Sequence, residues 1–303
     1  MNGRDYTEQL YYLGVSNNAM LTVSAPAKIN LVLEVIGKRD DGYHDIRSLM
    51  HTVDLYDTLS FELAEDVIYF ECTDIGLQTA DNLVIQAAKA MLQVSGYKIG
   101  ARIYLDKKIP SSFGLGGGSS DAAATLVALN ELWEVKLKTA DLIQLAATLG
   151  SDVPFFIHKG MALVKGRGEI VIPLPCLPQN WFVLLVPPLP QMPAKTKHLY
   201  SLLTEQQITK GEHVSEAMEH WSKTGQLDMS LLFNVFDSLA SSAFPNLDEN
   251  RHHFMQAGAA NIHLAGSGPA LFAPIGSKSR ANTLCRRLCD QGFSAFSVST
   301  TVD

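Results

Sequence analysis

Four glycines stand within five positions of the run Ser112-Phe113-Gly114-Leu115-Gly116-Gly117-Gly118-Ser119-Ser120-Asp121. Without side chains, the backbone N–H groups of such a loop can converge on an anion, and a helix that starts there adds the positive end of its dipole. The chemistry this suits is phosphate binding. Gly266-Ser267-Gly268, between two short apolar runs, reads as a tight turn between strands. Lys28 and Asn30, two positions apart in an alternating run, share one strand face, where an ammonium and a neutral amide can meet one ligand. Asp152 stands two residues before Pro154, a position that fits the N-cap of a short helix as well as a carboxylate that accepts a proton.

Two familiar glycine loops are excluded. A P-loop ends in Gly-Lys-Ser or Gly-Lys-Thr, whereas Gly118 is followed by Ser119 and Ser120 with no lysine. A dinucleotide fingerprint follows the first strand of a repeated βαβ series and has an acidic residue closing the next strand. Neither is evident here.

The glycine loop needs a strand before it and a helix after it. Ile103 and Leu105 alternate over Arg102 to Leu105, and Lys107-Lys108-Ile109-Pro110 links that strand to the glycines. Downstream, Ala122, Thr125, Leu126, Leu129 and Trp133 mark the buried stripe of a helix, with Ser119, Ser120 and Asp121 as candidate N-caps. Lys28 and Asn30 sit in a half-buried strand whose apolar face carries Ile29, Leu31, Leu33 and Val35 and whose polar face also takes Glu34. Asp40-Asp41-Gly42 is turn chemistry and presents Tyr43 and His44. A helix is expected over Leu83 to Leu92, and another over Leu142 to Leu149, closed by a left-handed Gly150 just before Asp152.

Pro173, Pro175 and Pro178 mark the expected boundary between a nucleotide-binding and catalytic domain over 1–178 and a substrate domain over 179–303. The second part reads as a strand at Phe182 to Val186, polar helical stretches through 199–243 and a helix near Asn246 to Ala257. Two short strands flanking Gly266-Ser267-Gly268, a helix at Ala281 to Cys289 and a strand at Ser294 to Val298 complete a β-α-β-β-α-β order.

Composition bounds the function class. The 303 residues can bury two cores without disulfides or metals, and 47% hydrophobic against 18% charged residues is a globular balance. A net charge of −7 repels a phosphate backbone, so nucleic acid is not an expected partner, while one local positive pocket can still hold a small anion. Cys72, Cys176, Cys285 and Cys289 form no Cys-x-x-Cys pair and read as buried reduced thiols. The apolar run from Trp181 to Val186 stops at Pro187, short of the ~20 residues of a membrane span. The first twenty residues lack the apolar centre and cleavage site of a signal peptide and read as an extra or unstructured leader; a cytoplasmic location is expected.

The glycine loop resembles the second motif of the GHMP kinase superfamily, Pro26-Ala27-Lys28-Ile29-Asn30-Leu31 its first, and Leu264-Ala265-Gly266-Ser267-Gly268-Pro269-Ala270 its third. Within it, Gly37-Lys38-Arg39-Asp40-Asp41-Gly42-Tyr43-His44 and Leu149-Gly150-Ser151-Asp152-Val153-Pro154-Phe155-Phe156 are similar to the branch acting on a cytidine diphosphate substrate. The resemblance runs from about Ser24 to the C-terminus. It implies a two-domain α+β fold, with a ribosomal-protein-S5-domain-2-like domain carrying the first two motifs, a ferredoxin-like domain carrying the third, and catalysis in the cleft between them. It also implies a reaction, in which ATP with Mg2+ phosphorylates the 2-hydroxyl of 4-diphosphocytidyl-2-C-methyl-D-erythritol on the non-mevalonate route to isoprenoids. A monomer or weak homodimer is expected. A mevalonate- or homoserine-type kinase and a catalytically silent nucleotide-binding protein are the alternatives.

The same resemblance makes Asp152 the catalytic base, with Lys28 as the ammonium beside it. It places Lys108, Pro110, Gly114, Leu115, Gly116, Gly117, Gly118, Ser119 and Ser120 along the nucleotide, with Lys107 bordering them and Asn82 toward the adenine. Asn30, Tyr43, His44, Tyr200, Gly266, Ser267 and Gly268 fall to the substrate: Tyr43 stacks on the cytosine, Tyr200 covers its other face, and His44 meets its hydrogen-bonding edge. No acidic residue matches the metal-binding glutamate of mevalonate-type relatives, so the ligands of Mg2+ are not identified.

Overall fold

The computed structural model describes residues 20–190 and 192–302. The first part of the chain runs β1 (Leu21–Lys38), β2 (His44–Ala64), β3 (Ile68–Cys72), α1 (Leu83–Ser95), β4 (Gly100–Asp106), α2 (Gly117–Leu132), α3 (Thr139–Leu149), α4 (Val153–His158), β5 (Met161–Gly166) and β6 (Ile170–Leu174). It continues with β7 (Trp181–Val186), α5 (Lys195–Ser201), α6 (Glu212–Thr224), β8 (Phe233–Asn234), α7 (Ala240–Ala243), α8 (Leu247–Ala257), β9 (His263–Leu264), β10 (Leu271–Ile275), α9 (Lys278–Asp290) and β11 (Ser294–Ser299).

The fold is α+β, built on two sheets. One follows the path β3-β4-β2-β1-β8, with β5 on β2 and β6 on β5; the other is β11-β7-β10-β9, antiparallel throughout. Counted among themselves, the four strands of the second sheet lie in the order 4-1-3-2, with helices after the first and the third, which is the ferredoxin-like arrangement expected. Pro173 lies in β6, which among the described residues pairs with β5 alone and so forms an edge of the sheet, where proline is tolerated. The halves interlock: β8 pairs parallel to β1 at Val32 and Leu33, and Thr300 bridges to Val53.

The strand around Lys28 differs from the half-buried strand that alternation predicts. From Ala25 to Val35 every residue of β1 is buried, because Ala25, Leu33 and Val35 join one core and Ala27, Ile29, Leu31 and Val32 another. Polar residues inside this strand therefore have to find partners in the protein. The register against β2 slips between Asn30 and Val32, so spacing ceases to report faces beyond Asn30. Glu34 accepts from the N–H groups of His213 and Val214 at 3.2 and 2.8 Å, at the start of α6.

Three further expectations change. Ser119, Ser120 and Asp121 do not cap α2; the N-cap is Gly116 at φ +74°, because the glycines let the helix begin earlier. Gly150 closes α3 in extended backbone, φ 174° and ψ 157°, since the chain must turn straight into α4. Of the four cysteines expected to be buried, Cys72 is buried, Cys176 and Cys285 are half-buried, and Cys289 is exposed, lying off the Ala281, Leu284, Leu288 stripe that α9 buries.

Candidate active site

The three sequence motifs meet. The Lys28 N–H donates to Leu115 O at 2.9 Å, which ties β1 to the glycine loop, and the Ala270 N–H donates to Phe113 O at 3.3 Å, which ties in the turn between β9 and β10. Two glycines are required by these approaches. A Cβ on Gly114, at φ +88°, would lie 1.9 Å from Ala265 O, and one on Gly116 would lie 2.7 Å from the Phe156 ring and 3.0 Å from Lys28 Cγ. Beyond Gly116 the N–H groups of Gly117, Gly118 and Ser119 precede the first intrahelical bond, from Ser120 N to Gly116 O, and so remain available to an anion. A Cβ on Gly118 would meet only Leu83 Cδ1, at an ordinary contact distance of 3.9 Å.

Lys28 Nζ lies 3.6 Å from Asp152 Oδ2, with side-chain exposures of 6% and 37%. The amine is therefore enclosed while the carboxylate keeps an open side. Asp152 is the N-cap residue of α4, yet its side chain makes no capping hydrogen bond and is left free for a ligand. Lys28 Nζ donates to Asn30 Oδ1 at 2.6 Å, Asn30 Nδ2 to Ser48 Oγ at 2.8 Å, and Ser48 Oγ to Val32 O at 2.6 Å. This relay fixes the direction of the ammonium. The same Nζ is 2.9 Å from where a Cβ of Gly266 would sit, so the third motif also touches it.

Next to the loop is a second lysine–carboxylate group. Lys107 Nζ donates to Asp121 Oδ2 at 2.9 Å and to Asp57 Oδ2, and Asp57 Oδ1 accepts the N–H groups of Lys108 and Ile109 at 2.6 and 2.8 Å. Burial alone would lower the Lys107 pKa, but Asp121 and Asp57 hold it above its ordinary value. Burial pushes the Asp121 carboxyl up to about 7, the attraction of Lys107 notwithstanding and with Asp57 adding to the rise. Lys108 has an exposed side chain 3.6 Å from Asp106, Pro110 is half-buried at the head of the loop, and Asn82 caps α1 by accepting from Val84 N at 2.9 Å.

Tyr43 is 55% exposed, with the Arg167 guanidinium 4.9 Å over its ring. Tyr200 rests on His44 at 4.9 Å between ring centroids and edge-on against Phe236 at 5.0 Å. Burial, reinforced by the Asp152 charge, raises the Tyr200 pKa, and burial with the Lys38 charge lowers that of His44. Ser267 Oγ is 3.0 Å from Thr196 Oγ1 on α5.

Residues 82–160 match the family of GHMP kinases N terminal domains. Over 281 residues the chain is 43% identical to a 4-diphosphocytidyl-2-C-methyl-D-erythritol kinase of Dehalococcoides mccartyi, covering 93% of this chain and 98% of that protein. The chain belongs to the 4-diphosphocytidyl-2-C-methyl-D-erythritol kinase family. A relative of the same name from Listeria welshimeri is 38% identical, with coverages of 89% and 94%. A crystal structure of 4-(cytidine 5'-diphospho)-2C-methyl-D-erythritol kinase superposes at a TM-score of 0.79 with 33% identity, covering 92% of this chain and 98% of that one. Homoserine kinase from Cytophaga hutchinsonii, at TM-score 0.69 and 22% identity, shares the fold.

In this member of the family, several residues that matter to the site carry no motif. Asn234 on β8 donates through Nδ2 to Leu264 O at 2.9 Å and Gly266 O at 2.8 Å, shaping the third-motif turn from 30 residues away. Lys195 donates to Ser112 O at 2.8 Å and to Gly268 O. The signal for Lys195 was faint: a Lys-Thr-Lys run just after a proline-rich stretch. At the loop, Asp57 and the Oδ2 of Asp121 are engaged by Lys107, whereas Asp121 Oδ1 and the neighbouring Ser120 Oγ are buried with no hydrogen-bond partner. The cluster of Glu34, Glu212 and His213 lies at the start of α6, where Glu34 is already taken up by backbone N–H groups.

Proposed function

We propose that this protein transfers the γ-phosphoryl group of ATP to the 2-hydroxyl of 4-diphosphocytidyl-2-C-methyl-D-erythritol, releasing the 2-phosphate and ADP. The observation that carries the reading is the placing of Lys28 Nζ 3.6 Å from Asp152 Oδ2, beside Gly116 and Gly266. In phosphoryl transfer the protein mainly positions the reactants and neutralises charge, and a base takes the hydroxyl proton as the new O–P bond forms. Asp152 is that base, as its open side allows. Lys28 favours the ionised carboxylate and offers its charge to the oxygens of the group in flight. Asn30, engaged by Lys28 and Ser48, still has one amide hydrogen and one lone pair for substrate.

The unpaired N–H groups at the head of α2 bind the nucleotide phosphates, with Leu115 and the flanking Pro110 and Lys108 forming the wall. Tyr43, His44 and Tyr200 receive the cytosine, the exposed Tyr43 ring providing a stacking face. Mg2+ accompanies the nucleotide, held by phosphate oxygens and water. A coupled ADP-release assay with the diphosphocytidyl substrate, mevalonate and homoserine tests the reading. Turnover confined to the cytidine substrate is expected; preference for either other alcohol would overturn it.

A further inference from the structure

Lys195 has no place in the three motifs, and it comes from the first turn of α5. Its Nζ is shared by two backbone carbonyls from different parts of the chain: Ser112 O, just before the first loop glycine, and Gly268 O, in the third-motif turn. Ser112 is itself in left-handed backbone, φ 70°, which is uncommon for a residue other than glycine. An ammonium has three N–H donors, and two are engaged here. The neighbouring Thr196 meets Ser267 Oγ at 3.0 Å, so α5 grips the same turn twice. Lys28 Nζ reaches that turn from the opposite direction, at Gly266.

We propose that Lys195 is a positioning residue for phosphoryl transfer: its ammonium latches the start of the glycine loop to the third-motif turn and directs its remaining N–H at the anion between them. The proposal rests on the kinase reading above. Burial, with the repulsion of Lys28, pushes the Lys195 pKa down to about 7. The charged group that acts on it is Lys28 on β1, itself paired with Asp152 at the head of α4. On α5 itself Lys197 and His198 are exposed. An anion placed beside two ammonium groups reverses that depression, so binding of a polyphosphate draws a proton onto Lys195 whenever the solution is more alkaline than its free pKa.

The test is calorimetric binding of ADP in two buffers of unlike ionisation enthalpy, at about pH 8 and about pH 6, which bracket this group. Wild-type protein is expected to take up close to one more proton per ADP at the higher pH than Lys195→Met does, and the two should agree at the lower pH. Lys195→Met should bind ADP about tenfold more weakly at the lower pH, the effect of one lost charge-assisted hydrogen bond. Lys195→Arg, whose guanidinium stays charged, should restore affinity without the proton uptake. Equal affinity and equal uptake in wild type and Lys195→Met, or an arginine variant that still takes up the proton, would overturn the proposal. Absence of turnover on the diphosphocytidyl acceptor bears on the kinase reading alone, because ADP binding needs no acceptor.

Discussion

Lys28 with Asp152 and Lys107 with Asp57 and Asp121 are chemically alike, yet the structure uses them in opposite ways. Lys107 and its carboxylates have side-chain exposures of 6%, 0% and 3%, and Asp57 also accepts two backbone N–H groups of the segment that leads from β4 into the loop. That group fixes shape. Lys28 is equally enclosed, but its carboxylate is 37% exposed, 3.6 Å away and free of capping duty. An ion pair that keeps one partner open can exchange it for a ligand. What separates the candidate catalytic pair from the structural one here is exposure: Asp152 keeps an open side, whereas Asp121 is buried even though its Oδ1 has no hydrogen-bond partner.

The sharpest way to break this contrast is to exchange the two consequences. Asp152→Ala should lower kcat by about a thousandfold, within the range for loss of a general base, with stability to denaturant near that of wild type. Substantial residual turnover would move the base elsewhere. Asp57→Ala should instead lower unfolding free energy by about 3 kcal/mol, because it opens a buried ion group and releases the Lys108 and Ile109 N–H groups. A denaturant midpoint equal to wild type would show that the buried group is not structural.

Smaller effects sharpen the comparison. Tyr43→Ala should raise KM for the cytidine substrate about tenfold, the worth of one base stack, and leave kcat nearly unchanged. An unaltered KM would remove Tyr43 from the base pocket. Asp121 gives the finest test. In the folded protein its carboxyl keeps a proton up to about 7, whereas an ordinary Asp releases it near 3.8. Between those values the folded state binds the more protons, so the contribution of Asp121 to stability is full below about pH 4 and is lost as pH rises toward 7. Asp121→Asn should flatten that slope in a series of unfolding measurements; an unchanged slope would assign it to other groups.

The parts of the site legible in the sequence are those written as contiguous motifs. The Gly114 to Gly118 loop, the Gly266-Ser267-Gly268 turn and the Lys28, Asn30 pair all reach one place, and the order of strands and helices after Phe182 forecast the ferredoxin-like sheet. What escaped was polar and long-range. The 21-residue β2 was not foreseen, because Ser48, His51, Thr52 and Asp57 interrupt its alternation although all four are buried. Asp57, Asn234 and Lys195 act on backbone groups far along the chain, and no local spacing encodes such a contact.

The sequence by itself determined which segments can approach one another, since glycines that admit no Cβ and strands of buried aliphatics leave few alternatives. It also determined the family to which the chain belongs. Only the tertiary structure decided which charged residues became structural and which stayed open. Lys28 and Lys107 both look like solvated strand or loop lysines in one dimension, and burial arises from what packs over them: α2 over Lys107, and over Lys28 the head of α4 and a turn more than 200 residues along the chain. Exposure is set in three dimensions, and packing closes over Lys107 and its carboxylates while leaving one side of Asp152 open.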